Sequence, residues 1–175
     1  MTPDPADGAT SARVVEDAFG RVRELVEAVT ADASPAVLAH RPTESSNSIA
    51  WLVWHLTRVQ DTHLAHLANL PAVWESEGWA DRFALSLPPS DTGYGATPAD
   101  VAALDGVTAE QLDGYHRAVH DLTLTYVRSL DDAALDEVID RAWDPPVTAS
   151  ARIVSVLSDC LQHLGQAAYL RGMQE

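Results

Sequence analysis

The side chains in this chain able to do chemistry are seven histidines and twenty-six carboxylates, beside one cysteine and no lysine. The most suggestive spacing is Asp159 and His163 in LSDCLQHLGQ, with Gln166 three residues further on. Residues four apart on a helix stack on one edge, so this pair can reach a single ion or simply pair with each other. His55, in WLVWHL, lies at one edge of an apolar helical stripe and offers a third imidazole. A backbone carbonyl at the core margin would satisfy it equally well. His63 reads as a supporting donor, a ligand or a packed side chain, and His66 is similarly open. His116 and His120 share the i, i+4 spacing, but their phase argues against a site. The stripe there centres on Val119 and Tyr126, which places His116 about 80° away at the boundary and His120 about 120° away in solvent.

Other chemistries are excluded. Without lysine there is no Schiff base and no phosphate-loop lysine. Cys160 falls on a core stripe as a small buried hydrophobe, and a lone cysteine allows no intramolecular disulfide. GxSxG, GxGxxG and HExxH are all absent. DTGYGAT follows no strand and has no basic residue, so it does not cradle phosphate. Its Tyr94, with Trp74 and Trp79, lines or covers a pocket, or else caps the open end of the fold. Trp54, next to His55, is assigned to the same pocket.

These residues need helices to bring them together. Val14, Val15, Ala18, Phe19, Val22, Leu25, Val26 and Val29 recur at three and four, giving an amphipathic helix over 11–31 after a flexible leader at 1–10. HRPTESSNS breaks it. A second helix spans 47–68 with Ile49, Leu52, Leu56, Val59 and Leu67 on one stripe, ended by Pro71. Residues 71–107 form a long crossover with helical pieces near 72–83 and 97–104. A third helix covers 108–130 and a fourth 151–170, separated by a connector with a short helix and the Pro145–Pro146 stop. No β-alternation persists. One domain at 11–175, an all-α four-helix bundle with the crossover between helices 2 and 3, is the expected fold.

Eleven arginines against twenty-six acids give a net charge of −15. Like-charge repulsion then disfavours nucleic acid and anionic membrane as partners. No apolar run approaches the roughly 18 residues of a membrane span. The acidic, proline-containing N-terminus is not a signal peptide, so a cytoplasmic location is expected.

NSIAWLVWHLTRVQDTHL (47–64) and RAWDPPVTASARIVSVLSDCLQHLGQAAYLRG (141–172) resemble the DinB-like superfamily. Within it they are similar to the branch of mycothiol-dependent maleylpyruvate isomerases and bacterial thiol S-transferases. The resemblance covers nearly the whole chain after the leader. It implies up-down-down-up topology and one divalent metal held by a second-helix histidine and an i, i+4 pair on the fourth helix. Those positions match His55, Asp159 and His163, with Gln166 and His63 as supporting residues. Zinc is the expected ion, with nickel or iron as alternatives. The implied activity is a transferase or isomerase in which a low-molecular-weight thiol attacks a small electrophile. The all-arginine composition, read as GC-rich coding, favours mycothiol as co-substrate. A homodimer is common among such relatives. The chain stops soon after the fourth helix, so the extra C-terminal domain of full isomerases is not expected, nor is maleylpyruvate as substrate. The competing reading is a non-catalytic bundle that senses or sequesters a ligand through the same metal.

Overall fold

A computed structural model describes residues 10–174. Four long helices carry the fold: α1 (Thr10–Thr30), α3 (Ile49–Ala68), α7 (Ala109–Val127) and α9 (Ala149–Gly172). Between them run α2 (Pro35–Ala39), α4 (Val73–Ser76), α5 (Trp79–Phe83), α6 (Pro98–Ala102) and α8 (Asp132–Leu135). The expected leader lies outside the described residues except for Thr10, which already begins α1. Each long helix after the first starts on a hydroxyl cap: Ser48, Thr108 and Thr148 accept from the backbone N–H three residues on. Asn69, at φ 54°, ends α3 before Pro71 is reached, because asparagine tolerates the left-handed turn.

Two corrections to the expected elements concern short pieces. α2 was not foreseen; Ser34 caps it and Pro35 occupies its first position. The connector after α8 forms a small antiparallel hairpin, β1 (Val138–Asp140) and β2 (Val147–Thr148). These strands are too short for alternation to show in the sequence.

Cross-helix contacts set the topology. Arg23 meets Asp113 while Glu16 meets Arg128, so α1 and α7 are antiparallel. Arg58 faces Tyr115 and Gln60 faces Thr123, so α3 and α7 run the same way. Arg171 donates to the Ala31 carbonyl while Val14 and Val154 line one groove, making α1 and α9 parallel. The result is the up-down-down-up bundle. Phe19, Val22, Leu52, Leu56, Leu112, Val119, Ile153 and Val156 fill its centre.

α3 departs most from a simple amphipathic helix. Every residue from Ile49 to Arg58 is buried, because α7, α9 and the crossover enclose it on all sides. Its interior includes a charged pair, Arg58 and Asp61, with 4% and 0% side-chain exposure. Asp61 accepts from the Val73 and Trp74 amides and the Tyr115 hydroxyl, each at 2.8 Å. Those bonds satisfy free N–H groups at the start of α4. Around them Trp74, Trp79, Phe83 and Tyr115 pack with ring centroids 5.0–6.4 Å apart. Asp61→Ala removes the acceptor for all three donors and strands the Arg58 charge in the core. A loss of about 3–5 kcal/mol is expected in urea denaturation, and a loss below about 1 kcal/mol would show that the network is dispensable.

The phase reading of α7 needs correction at His116. Its side chain is fully buried against α1, not at the boundary, and His120 is half-buried rather than solvent-facing. Arg23 crosses from α1, placing Nη1 3.5 Å from His116 Nδ1 and bonding Asp113 at 2.5 Å. Burial first, then the Arg23 and His120 charges, pushes the His116 pKa down to about 3. A histidine kept neutral in the fold and protonated near pH 6.5 when unfolded stabilises the fold fully above pH 6.5. That contribution is lost as pH falls toward 3, by roughly 3 kcal/mol at pH 4. His116→Leu should therefore show a smaller drop in unfolding free energy between pH 7 and pH 4 than the wild type. Equal drops would contradict this.

Candidate metal centre

His55, on the buried half of α3, and Asp159 and His163, on the facing edge of α9, converge. One ligand atom from each lies within 4.8 Å of the others. His163 Nε2 stands 3.5 Å from Asp159 Oδ1, close to the edge of a tetrahedron with metal–ligand bonds of about 2.1 Å. α3 and α9 are antiparallel neighbours, and this brings together residues about a hundred positions apart.

Both imidazoles are oriented through their other nitrogen. His55 Nδ1 donates to the Thr92 carbonyl at 2.5 Å, and His163 Nδ1 donates to Gln166 Oε1 at 3.3 Å. Each therefore presents Nε2 to the shared point, the arrangement that fixes a metal-binding tautomer. Asp159 Oδ2 is buried and has no hydrogen-bond partner. A carboxylate with one orphaned oxygen, gathered with two imidazole nitrogens, fits a divalent cation: the donor set suits zinc and, on ligand type, nickel or iron.

The electrostatics agree. Burial pushes the His55 pKa down, and the His163 charge adds to this against the Thr92 bond. The Asp159 hydrogen bond, against burial, raises the His163 pKa. Burial alone would raise that of Asp159, but the His163 bond and the His55 and His63 charges outweigh it and hold it below the usual carboxylate value. The point is negative and favours a cation.

The remaining expected site residues divide. Gln166 touches His163 as described. His63 is half-buried and accepts from Arg152 at 2.9 Å through Nδ1. Trp54 is 1% exposed and packs against Trp74 in the core. Tyr94 is 95% exposed, on a turn between Gly93 and Gly95 at φ 87° and 74°. His66 is exposed. Cys160 is fully buried near the Leu56 carbonyl and Gln60, and burial pushes its thiol pKa strongly up, so it is no nucleophile.

Three contributors escaped the sequence reading. Trp51 stacks on His55 with centroids 4.6 Å apart and meets His163 edge-on at 6.0 Å. Thr92 acts through its carbonyl, so no side-chain pattern marks it. Gly93 passes directly over the imidazole, and a Cβ there would sit 2.8 Å from His55 Nδ1 and 3.1 Å from Trp54. The one available signal was the glycine pair in DTGYGAT.

Fold and cluster together define a helical bundle in which two adjacent helices bring a two-histidine, one-carboxylate donor set to a point. Residues 14–174 match the mycothiol-S-transferase family, and the chain belongs to it. It is also similar to the crystal structure of a conserved protein from Enterococcus faecalis, with 30% identity and a TM-score of 0.87, covering 94% of this chain and 96% of that one. No curated protein matches. No helix among the described residues is long and apolar enough to cross a membrane.

Gly93→Ala places a methyl group against His55 Nδ1 and strains a backbone at φ 87°. The Thr92–His55 bond must lengthen, and zinc affinity measured by competition with a chromophoric chelator should fall about 10–100-fold. Unchanged affinity would show that this bond does not position His55.

Proposed function

We propose that the protein is a metal-dependent S-transferase that joins a low-molecular-weight thiol, mycothiol, to a small electrophile. The observation that carries this reading is the convergence of the Asp159 carboxylate, one oxygen of which has no hydrogen-bond partner, with two imidazoles whose outer nitrogens are already bonded. Family membership supports the thiol and the class of transfer. A divalent ion held by His55, Asp159 and His163 supplies a Lewis acid that brings a thiol's pKa toward neutrality. The chain's own residues do the rest. Three protein ligands leave positions open for an exogenous group. Trp51 walls one side of His55 and keeps its ring from rotating. Thr92 and Gln166 hold the Nδ1 protons so that both Nε2 atoms stay available. Cys160 is too deeply buried to compete as nucleophile, so the sulfur comes from the co-substrate. Zinc is the native ion in this reading, and the reaction belongs in the cytoplasm.

The test uses purified wild type and His163→Ala with mycothiol and a bromobimane electrophile. Stoichiometric zinc and accelerated thiol consumption in the wild type are expected. His163→Ala, checked for an unchanged melting profile, should lose the ion and fall to the uncatalysed rate. Stoichiometric metal without acceleration would replace transfer by the non-catalytic binding reading. Failure to bind a divalent ion at all would remove the centre.

A further inference from the structure

The α3–α9 seam that holds the cluster continues to a second polar pair. Arg152 lies seven residues before Asp159 on α9, which is about 10.5 Å along the axis and within about 20° of the same face. Besides Asp159 and Arg171 it is the only charged residue of α9. Its side chain is 22% exposed, and Nη1 donates to His63 Nδ1 at 2.9 Å. Because His63 accepts through Nδ1, its proton sits on Nε2, a second donor. Asp140 forms an ion pair with Arg152, its Oδ2 3.8 Å from Nη2 and too far for a hydrogen bond, while its Oδ1 accepts from the Ala142 amide. Arg152 thus keeps unused donors in a molecule whose net charge is −15. His63 is close enough to the cluster that it and Asp159 act on each other's charge.

We propose that Arg152 and His63 form an anion subsite. It takes the carboxylate of a small molecule whose other end sits at His55, Asp159 and His163. The guanidinium, oriented by its bond to His63 Nδ1, matches a single negative charge, and planar bidentate pairing favours a carboxylate. Asp140 flanks the position and disfavours a doubly charged phosphate. The backbone of Arg152 and that of Asp159 stand about 10.5 Å apart along α9, which sets the scale of a molecule spanning the two at about 10 Å. The far end of this placement rests on the metal-centre reading; the carboxylate end does not.

The experiment separates the two. Cobalt-loaded protein is titrated with 8-mercaptooctanoate and with 8-mercapto-1-octanol, following thiolate-to-cobalt absorption. The acid should bind about tenfold more tightly than the alcohol in wild type and equally in Arg152→Gln, with Arg152→Lys retaining part of the preference. Independently, octanoate is titrated into metal-free protein while the His63 ring resonances are followed by NMR. A saturable shift is expected in wild type and none in Arg152→Gln. Equal affinities of acid and alcohol, or no octanoate shift at His63, would overturn the subsite. An octanoate shift without any thiolate–cobalt band would instead retain the subsite and overturn the metal reading.

Discussion

A buried guanidinium must find acceptors for its N–H groups, and at Arg58 that requirement governs the path of the crossover. The side chain donates to the Pro89 and Asp91 carbonyls at 3.2 Å each and lies 4.8 Å over Trp74. The loop is thereby drawn across α3, and the next carbonyl, that of Thr92, lands on His55. One turn along, Asp61 fixes the start of the same crossover by capping α4. A charged pair on one helix turn therefore holds the start and the middle of the long crossover. The orientation of a candidate ligand follows from it.

The division of labour in the site has a physical basis. All three cluster residues stand on long helices packed against each other, where side-chain positions are set by the bundle rather than by loops. The crossover contributes only what a loop does well: a carbonyl for His55 and a glycine that lets backbone approach the ring closely. Asp159 gains its character from partial burial without full pairing. It is dry enough to favour a counter-charge, yet one oxygen is left without a hydrogen bond.

Much of the bundle was legible because apolar side chains recur at helical spacing. The stripe of α1 finds its buried face at Phe19, Val22, Val26 and Val29, although Val14 and Leu25 of the same stripe are exposed, and Cys160 lies where its phase put it. α3 was legible as a helix but not as a wholly enclosed one, since periodicity marks one face and cannot report what covers the others. The same blindness misplaced His116, for Arg23 and Asp113 reach it from outside the stripe and make its burial tolerable. The hairpin at 138–148 is a tertiary product, formed where two very short segments meet beside α9.

By itself the sequence determined the four helices, the exclusion of lysine and cysteine chemistry, and three residues of metal-ligand type, because residue identity and local period are properties of the chain. Tertiary structure decided whether those residues meet. The convergence of His55 with Asp159 and His163 depends on α3 and α9 packing antiparallel in one register. The exposure of Tyr94, and the placing of Thr92 and Gly93 against His55, depend on where a long crossover is pulled by one buried arginine. No local pattern encodes such long-range contacts, since their energy comes from satisfying polar groups buried by elements far apart in sequence.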